Sequence, residues 1–299
     1  MNIIIAVILG AIQGLTEFLP VSSSGHLVFF QKILEKIYGE AETELIFGNN
    51  ALFFDTMLHL GTLAAVFAVL WKDILAILKR IFQPLTAFLI IATVPTVFFA
   101  LILRKPLEQA FETGRFLGIS FLITSLLMVI AELLAKRAAN KTENPVEKQS
   151  ETENNASAGL KKDGEMNWLD ALVVGIMQAI AIVPGISRSG ATLSGALARG
   201  LNRDFAARFS FLLSIPAILG AAVFQLKDLL KSDGAALAGG GIGAAAIVLG
   251  TLTAAVVGFF AVRFMLKIVR EKSLWGFAIY TAALGLLVLI DQLGTRLVF

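Results

Sequence analysis

Two short runs in this 299-residue chain hold most of the side chains able to do chemistry. The first, QGLTEFLPVSSSGH over 13–26, carries a carboxylate (Glu17), three consecutive hydroxyls (Ser22, Ser23, Ser24) and an imidazole (His26). The second, PGISRSGAT over 184–192, sets a guanidinium (Arg188) inside a Ser-Arg-Ser-Gly turn with Thr192 just beyond. Gln13 and Glu17 are four apart and share one face of a helix. Glu17 could hold a divalent cation or act as general acid or base. A hydroxyl nucleophile needs a base beside it, and a phosphoryl leaving group needs its charge neutralised. In the second run, Pro184 and Gly185 break the incoming helix, and Gly190 permits an unusual backbone angle. Ser187, Ser189, Thr192, the amides of a new helix N-terminus and Arg188 fit a cradle for one phosphate. Arginine suits that task because its planar fork donates two parallel hydrogen bonds to phosphate oxygens. Serine-rich turns often do no more than cap helices, and a lone histidine is often a satisfied core group. An arginine in an apolar block tilts the balance toward anion binding. Asp55, His59 and Arg208 also lie in or beside apolar stretches, and for them structural pairing is as good a reading as catalysis.

The elements that position these residues must sit in a bilayer. The chain is 57% apolar and 16% charged, with a mean hydropathy of +0.81. A soluble domain averages about 45–50% apolar and about 25% charged residues. With no cysteine, disulfide scaffolds, thiolate zinc sites and thiol nucleophiles are excluded, and two histidines leave little for a multi-histidine metal centre. The basic residues are spread between apolar blocks, which argues against nucleic acid as a partner. A helix needs about 20 apolar residues to cross the hydrocarbon core. Six stretches predict full spans: 51–71, 85–103, 116–135, 205–226, 242–262 and 274–290. Residues 3–30 and 169–200 begin apolar and then break at the two polar runs. Such breaks survive at membrane depth only when buried in protein or lining a wet cavity, so both predict re-entrant helix pairs. Residues 136–168 are polar, without apolar periodicity, and read as a surface loop without chemistry.

Shifting the sequence by 165 residues aligns 10–27 with 175–192 without a gap. Gly10, Gln13, Ser22, Ser24 and Gly25 then match Gly175, Gln178, Ser187, Ser189 and Gly190. Each block is followed by three spans, so the fold expected is an all-α polytopic membrane protein. It is built as an inverted repeat, 1–135 and 169–299, each a re-entrant pair plus three transmembrane helices. Eight basic residues fall on the side of the N-terminus (Lys32, Lys36, Arg104, Lys105, Arg115, Lys227, Lys231, Arg296). Fifteen fall on the other side, which is therefore expected to be cytoplasmic, with both termini outside. The acid, hydroxyl and imidazole cluster in the first half and the arginine lies in the second.

These residues resemble the bacterial undecaprenyl-diphosphatase family, known for bacitracin resistance. The family's first motif appears as Gln13-Gly-Leu-Thr-Glu17 running on to His26, and its second, Pro-Gly-x-Ser-Arg-Ser-x-x-Thr, is matched in full from Pro184 to Thr192. The resemblance implies removal of one phosphate from undecaprenyl diphosphate, recycling the lipid carrier of cell-wall synthesis in the bacterial inner membrane. It implies a site opening to the outer face and help from Mg²⁺ or Ca²⁺, with Glu17 the candidate metal ligand. Glu17, Ser23, His26 and Arg188 become the expected catalytic residues: Ser23 as nucleophile, His26 or Glu17 as its base, Arg188 on the diphosphate, with direct attack by His26 the variant. Gln13, Ser22, Ser24, Gly185, Ser187, Ser189, Gly190 and Thr192 complete the expected substrate site. The lipid and the bilayer are the expected partners, with room for a homodimer. Acid-phosphatase-like lipid phosphatases share fragments such as Ser24-Gly25-His26, but their second histidine would fall at Ser194. A lipid-phosphate transporter or flippase is the alternative from another class, because inverted repeats with broken helices are transporter architecture.

Overall fold

Backbone amides and carbonyls in lipid have no water to pair with, so the apolar stretches must satisfy them internally, as helices. The structure, a computed structural model, describes residues 3–39, 51–103, 106–107, 114–142, 161, 163–231 and 243–298. Among the described residues there is no β-strand, only an isolated bridge between Lys161 and Leu201. The helices in the first half are α1 (Ile3–Thr16), α2 (Ser23–Tyr38), α3 (Ala51–Val69), α4 (Trp71–Lys79), α5 (Pro84–Ile102) and α6 (Leu117–Thr142). Those in the second are α7 (Trp168–Ile180), α8 (Arg188–Ala198), α9 (Arg203–Lys231), α10 (Ala244–Glu271) and α11 (Trp275–Ile290).

Five of these, α5, α6, α9, α10 and α11, are long and apolar enough to cross a membrane. The sixth expected span is α3 with its continuation α4, and the chain bends by 78° between them. No side chain caps α4 at Leu70, and its sequence, WKDILAILK, is amphipathic, so the bend ends the lipid-facing run where charges begin. Helix α10 continues nine residues beyond the expected end at 262. Its added turns carry Arg263, Lys267 and Arg270, which interrupt hydropathy without interrupting a helix. Likewise α6 extends to Thr142, into the polar 136–168 stretch. The far end of that stretch is docked: Lys161 Nζ reaches both carboxylate oxygens of Asp170 at 2.8–2.9 Å.

The re-entrant expectation rests on length as well as sequence. With 14 and 13 residues, α1 and α7 are about 20 Å long, short of the roughly 30 Å hydrocarbon thickness. Each is followed within a few residues by a second helix, α2 or α8. Helix α1 packs chiefly on α10, and α7 chiefly on α5. Glycine makes both approaches close: a Cβ at Gly10 would collide with the carbonyl oxygen of Gly250 in α10, and one at Gly175 would lie 2.5 Å from that of Ala92 in α5. Helix α3 lies between α9 and α10, and α6 packs along α11.

Ion pairs fasten the helix ends on the more basic side. The Arg203 guanidinium makes two bonds to the fully buried Glu132 carboxylate, 2.9 and 2.6 Å, and Glu132 also accepts from the Leu274 amide at 2.7 Å. One carboxylate of α6 thus holds the start of α9 and the entry to α11. Asp170, in the first turn of α7, accepts from Lys161, Arg199 and the Asn167 amide. Burial pushes its carboxyl up, but these donors outweigh burial and hold it below the ordinary carboxylate range.

Candidate active site

The two chemical runs meet at one carboxylate, where the turn between α1 and α2 faces the turn between α7 and α8. Glu17 follows α1 directly, and its side chain is only 5% exposed. Arg188, the first residue of α8, places Nη2 2.5 Å from Glu17 Oε1. Ser23, the first residue of α2, donates its hydroxyl to Glu17 Oε2 at 2.5 Å. Gln13 Nε2 donates to the same oxygen at 3.0 Å, the helical i to i+4 contact expected from its spacing. Two helix N-termini therefore begin at residues bonded to one anion, and both bring positive dipole ends to it. Arg188 Nη1 is buried and has no hydrogen-bond partner among the described residues. A buried guanidinium N–H without an acceptor is costly, and a phosphate oxygen would satisfy it.

The hydroxyls divide between binding roles and local structure. Ser22 caps α2 by accepting from the Gly25 amide at 3.1 Å, and Ser187 caps α8 by accepting from the Gly190 amide at 3.0 Å. Capping, the bland reading of such turns, accounts for these two oxygens. Ser24 Oγ accepts from the Gly185 amide at 3.4 Å, and Ser189 Oγ donates to the Leu19 carbonyl at 2.9 Å. Each of these ties one tip to the other. Gly185 has φ 86°, a left-handed conformation that suits glycine. Ser22, with φ 71°, is a non-glycine residue in this region and is held by its own cap; strain of this kind clusters at functional sites. Thr192 turns away, bonding the Arg188 carbonyl and the Ser210 hydroxyl at 2.8 and 2.5 Å.

His26 is buried near the cluster but hydrogen-bonds to none of Glu17, Ser23 and Arg188. Its Nδ1 lies 2.7 Å from the Ser22 carbonyl oxygen, and Nε2 lies 2.8 Å from the Tyr280 hydroxyl. A carbonyl only accepts, so Nδ1 carries the hydrogen and Nε2 accepts from Tyr280 when the ring is neutral. The Tyr280 ring stacks on it at an interplanar angle of 9°.

Three contributors were absent from the set expected from sequence. His59 on α3 brings Nε2 to 3.6 Å from Glu17 Oε2, with Nδ1 2.7 Å from the Asp55 carbonyl oxygen. Its ionisable character was the signal, but nothing local told it from a structural histidine. Thr124 on α6 accepts from the Ser187 amide at 3.0 Å. That residue, like Tyr280, belongs to an ordinary apolar span with no motif to mark it.

A divalent cation does not find a ready-made cage here. Among the described residues no group of three or more His, Asp or Glu side chains could hold one. Glu17 is the single carboxylate at the tips, and both its oxygens already face cationic or hydrogen-donating groups. Gln13 supplies at most a neutral carbonyl oxygen.

With this geometry in hand, the comparisons with known proteins bear on the same residues. The sequence profile described as "Bacitracin resistance protein BacA" matches residues 6–287. The chain is 44% identical over 292 residues to a protein of Carboxydothermus hydrogenoformans named undecaprenyl-diphosphatase, covering 98% of each. It is 38% identical to undecaprenyl-diphosphatase 4 of Bacillus thuringiensis subsp. konkukian, again over 98% of both chains. A Methanosphaera stadtmanae protein named undecaprenyl-diphosphatase is 34% identical, over 97% of this chain and 98% of its own. The matched region contains both of these turns and all or most of every helix that packs on them, so this multi-pass membrane protein belongs to the bacitracin resistance protein BacA family.

Proposed function

We propose that this protein is a membrane phosphatase that converts undecaprenyl diphosphate to undecaprenyl phosphate and orthophosphate, at the site formed by Glu17, Ser23 and Arg188. The observation that carries the reading is the short Ser23–Glu17 bond beside a guanidinium with an unmet donor. The family and the phosphatase name shared by the relatives support the reaction class and substrate, which a transporter reading leaves without explanation.

In this mechanism Ser23 Oγ attacks the terminal phosphorus and passes its proton to Glu17 Oε2. The bond from that phosphorus to the bridging oxygen breaks, and the lipid monophosphate leaves. Water then hydrolyses the phosphoserine, restoring the hydroxyl and releasing orthophosphate. As Glu17 gains the proton it loses the charge that holds Arg188, and the guanidinium turns to the phosphate oxygens as their charge rises. Ser24, Gly185 and the first amides of α8 line the same approach. Because the described residues form no cage of three or more His, Asp or Glu ligands, no step here is routed through a metal. Where Mg²⁺ or Ca²⁺ assists, it would supply neutralising charge to the diphosphate.

The site is read as facing the outer side of the bacterial inner membrane, with both termini outside; the distribution of basic residues across the spans supports this. The two halves are read as an inverted repeat. In support, aligned residues do matched work: Ser22 and Ser187 cap, Ser24 and Ser189 cross to the opposite tip, and Gly10 and Gly175 admit a partner helix.

The test is phosphate release from undecaprenyl diphosphate by the purified full chain in detergent, with and without Mg²⁺ or Ca²⁺. Wild type should release phosphate, and Ser23→Ala, which removes the nucleophile, should lose on the order of 10⁶-fold. Release surviving Ser23→Ala would move the nucleophile to His26 or water. No release from folded, lipid-bound wild type would overturn the reading.

A further inference from the structure

A second concavity lies at the other end of the helices that carry the site. It is an open hollow of about 770 Å³, between the last turns of α2, the start of α6 and the end of α11. Lys32, Glu35, Lys36, Arg115 and Arg296 line it. Lys32 Nζ pairs with Glu35 Oε2 at 2.7 Å, and among the described residues Lys36, Arg115 and Arg296 have no carboxylate partner. Among the described residues, three cations without a carboxylate partner thus share one hollow. Of the eight basic residues on this side of the chain, four converge here, whereas cations that merely snorkel to an interface have no reason to gather.

The hollow is also built. Beyond α11 the chain turns through five residues, Asp291–Thr295, and folds back so that the Asp291 carboxylate accepts from Thr295 Oγ1 and from the Leu297 and Val298 amides at 2.6–2.9 Å. That turn holds Arg296 at φ 48°, on the wall of the cavity. Gln292, also on the wall, donates to the Gly114 carbonyl at 2.9 Å and so joins the end of α11 to the approach to α6. Ile119, Leu289 and Leu293 supply an apolar face. A cationic rim over an apolar wall, at the end of membrane helices, matches a negatively charged phosphate carried by or released from an amphiphile. Lys32 and Lys36 stand 9 and 13 residues beyond Ser23 on α2, about 14–20 Å away by helical rise, so one phosphate cannot occupy both places.

We propose that this cavity is a second phosphate-binding site, separate from the Glu17–Arg188 centre, that takes a net-anionic phosphate from a phospholipid headgroup or from free orthophosphate. It does not depend on the catalytic reading, and its test reads binding, not turnover.

Native mass spectrometry of the full chain in neutral detergent, with phosphatidylglycerol or phosphatidylcholine added, reads the headgroup arm. The thermal unfolding midpoint against orthophosphate reads the free-ion arm. Both are run on wild type, on Arg188→Ala to silence the catalytic centre, and on Lys36→Gln/Arg115→Gln/Arg296→Gln in each background. Phosphatidylglycerol should be preferred over phosphatidylcholine in wild type and Arg188→Ala alike, and the preference should fall about fivefold per cation removed. The charge-keeping set Lys36→Arg/Arg115→Lys/Arg296→Lys should retain it, which separates charge from damage to the fold. A response to orthophosphate that persists in Arg188→Ala and vanishes in the combined variant assigns free phosphate to the cavity. A response in the lipid arm alone assigns the headgroup. Equal retention of the two lipids with no orthophosphate response in Arg188→Ala, or responses unchanged by the triple substitution, would overturn the proposal.

Discussion

Arg188 Nη2 and Glu17 Oε1 lie 2.5 Å apart across 171 residues of sequence, joining the tips of two helix pairs at one buried charge pair. The pair does two things at once. It compensates two buried charges that would each be costly alone, and it holds the guanidinium beside the Ser23 hydroxyl.

Removing one partner strands the other, at a typical cost of about 3–5 kcal/mol. Arg188→Ala and Glu17→Gln are each expected to lower the thermal unfolding midpoint and abolish phosphate release. The double substitution Glu17→Gln/Arg188→Met should recover much of the stability and none of the activity, since it removes both charges. Recovery of phosphate release in the double variant would show that neither residue touches the reaction.

His26 is oriented by Tyr280 and the Ser22 carbonyl and not by Glu17. Tyr280→Phe keeps the ring stack but leaves Nε2 without its donor, a loss of about 1–3 kcal/mol if the site stays dry. If His26 takes part in turnover, kcat should fall about tenfold or more, as 1.4 kcal/mol corresponds to a factor of ten, with KM little moved. A rate equal to wild type in the phosphate-release assay would remove His26 from the reaction.

The Glu132–Arg203 pair stands apart from the chemistry and binds α6, α9 and the α11 entry together. Glu132→Ala is expected to cost about 3–5 kcal/mol, the penalty for breaking a buried pair. Phosphate release per folded molecule should remain near wild type. Thermal unfolding in detergent alongside the activity assay separates the two effects.

Asp170 gives the fold a dependence on pH. Its carboxyl is held below the ordinary value in the folded chain by Lys161, the Asn167 amide and Arg199, against the opposing effect of burial. A lowered folded pKa means the unfolded chain binds the proton first. The stability it contributes is therefore complete above the unfolded value, about pH 4, and is lost as pH falls through the folded value. Unfolding midpoints of wild type and Asp170→Asn should differ by a constant amount from pH 8 to about 5 and converge below about 4. A gap that stays constant down to pH 3 would contradict this.

Residue type and spacing specify a helical membrane protein and single out the polar runs that gather around Glu17. Apolar runs of span length can only be helices in lipid, because backbone groups there have no other partner. The breaks at Pro20, Pro184 and Gly185 had to be sheltered tips for the same reason. Spacing within one helix was readable too: Gln13 does bond Glu17, four residues on. Capping by Ser22 and Ser187 also followed from residue type, although the same hydroxyls read equally well as phosphate ligands.

What each group faces depends on how the helices pack. Nothing near position 188 in the chain names Glu17 as its partner, and only the meeting of the two tips makes that contact. His26 could have been the base of Ser23 on spacing alone, three residues along a helix. Its nitrogens are claimed instead by a carbonyl four residues back and by a tyrosine 254 residues away. His59 and Thr124 gained their places because α3 and α6 pack beside the tips, and spans that look alike in hydropathy carry no mark of which face turns inward. Local periodicity encodes the partners within a helix, whereas contacts between helices depend on how whole faces pack.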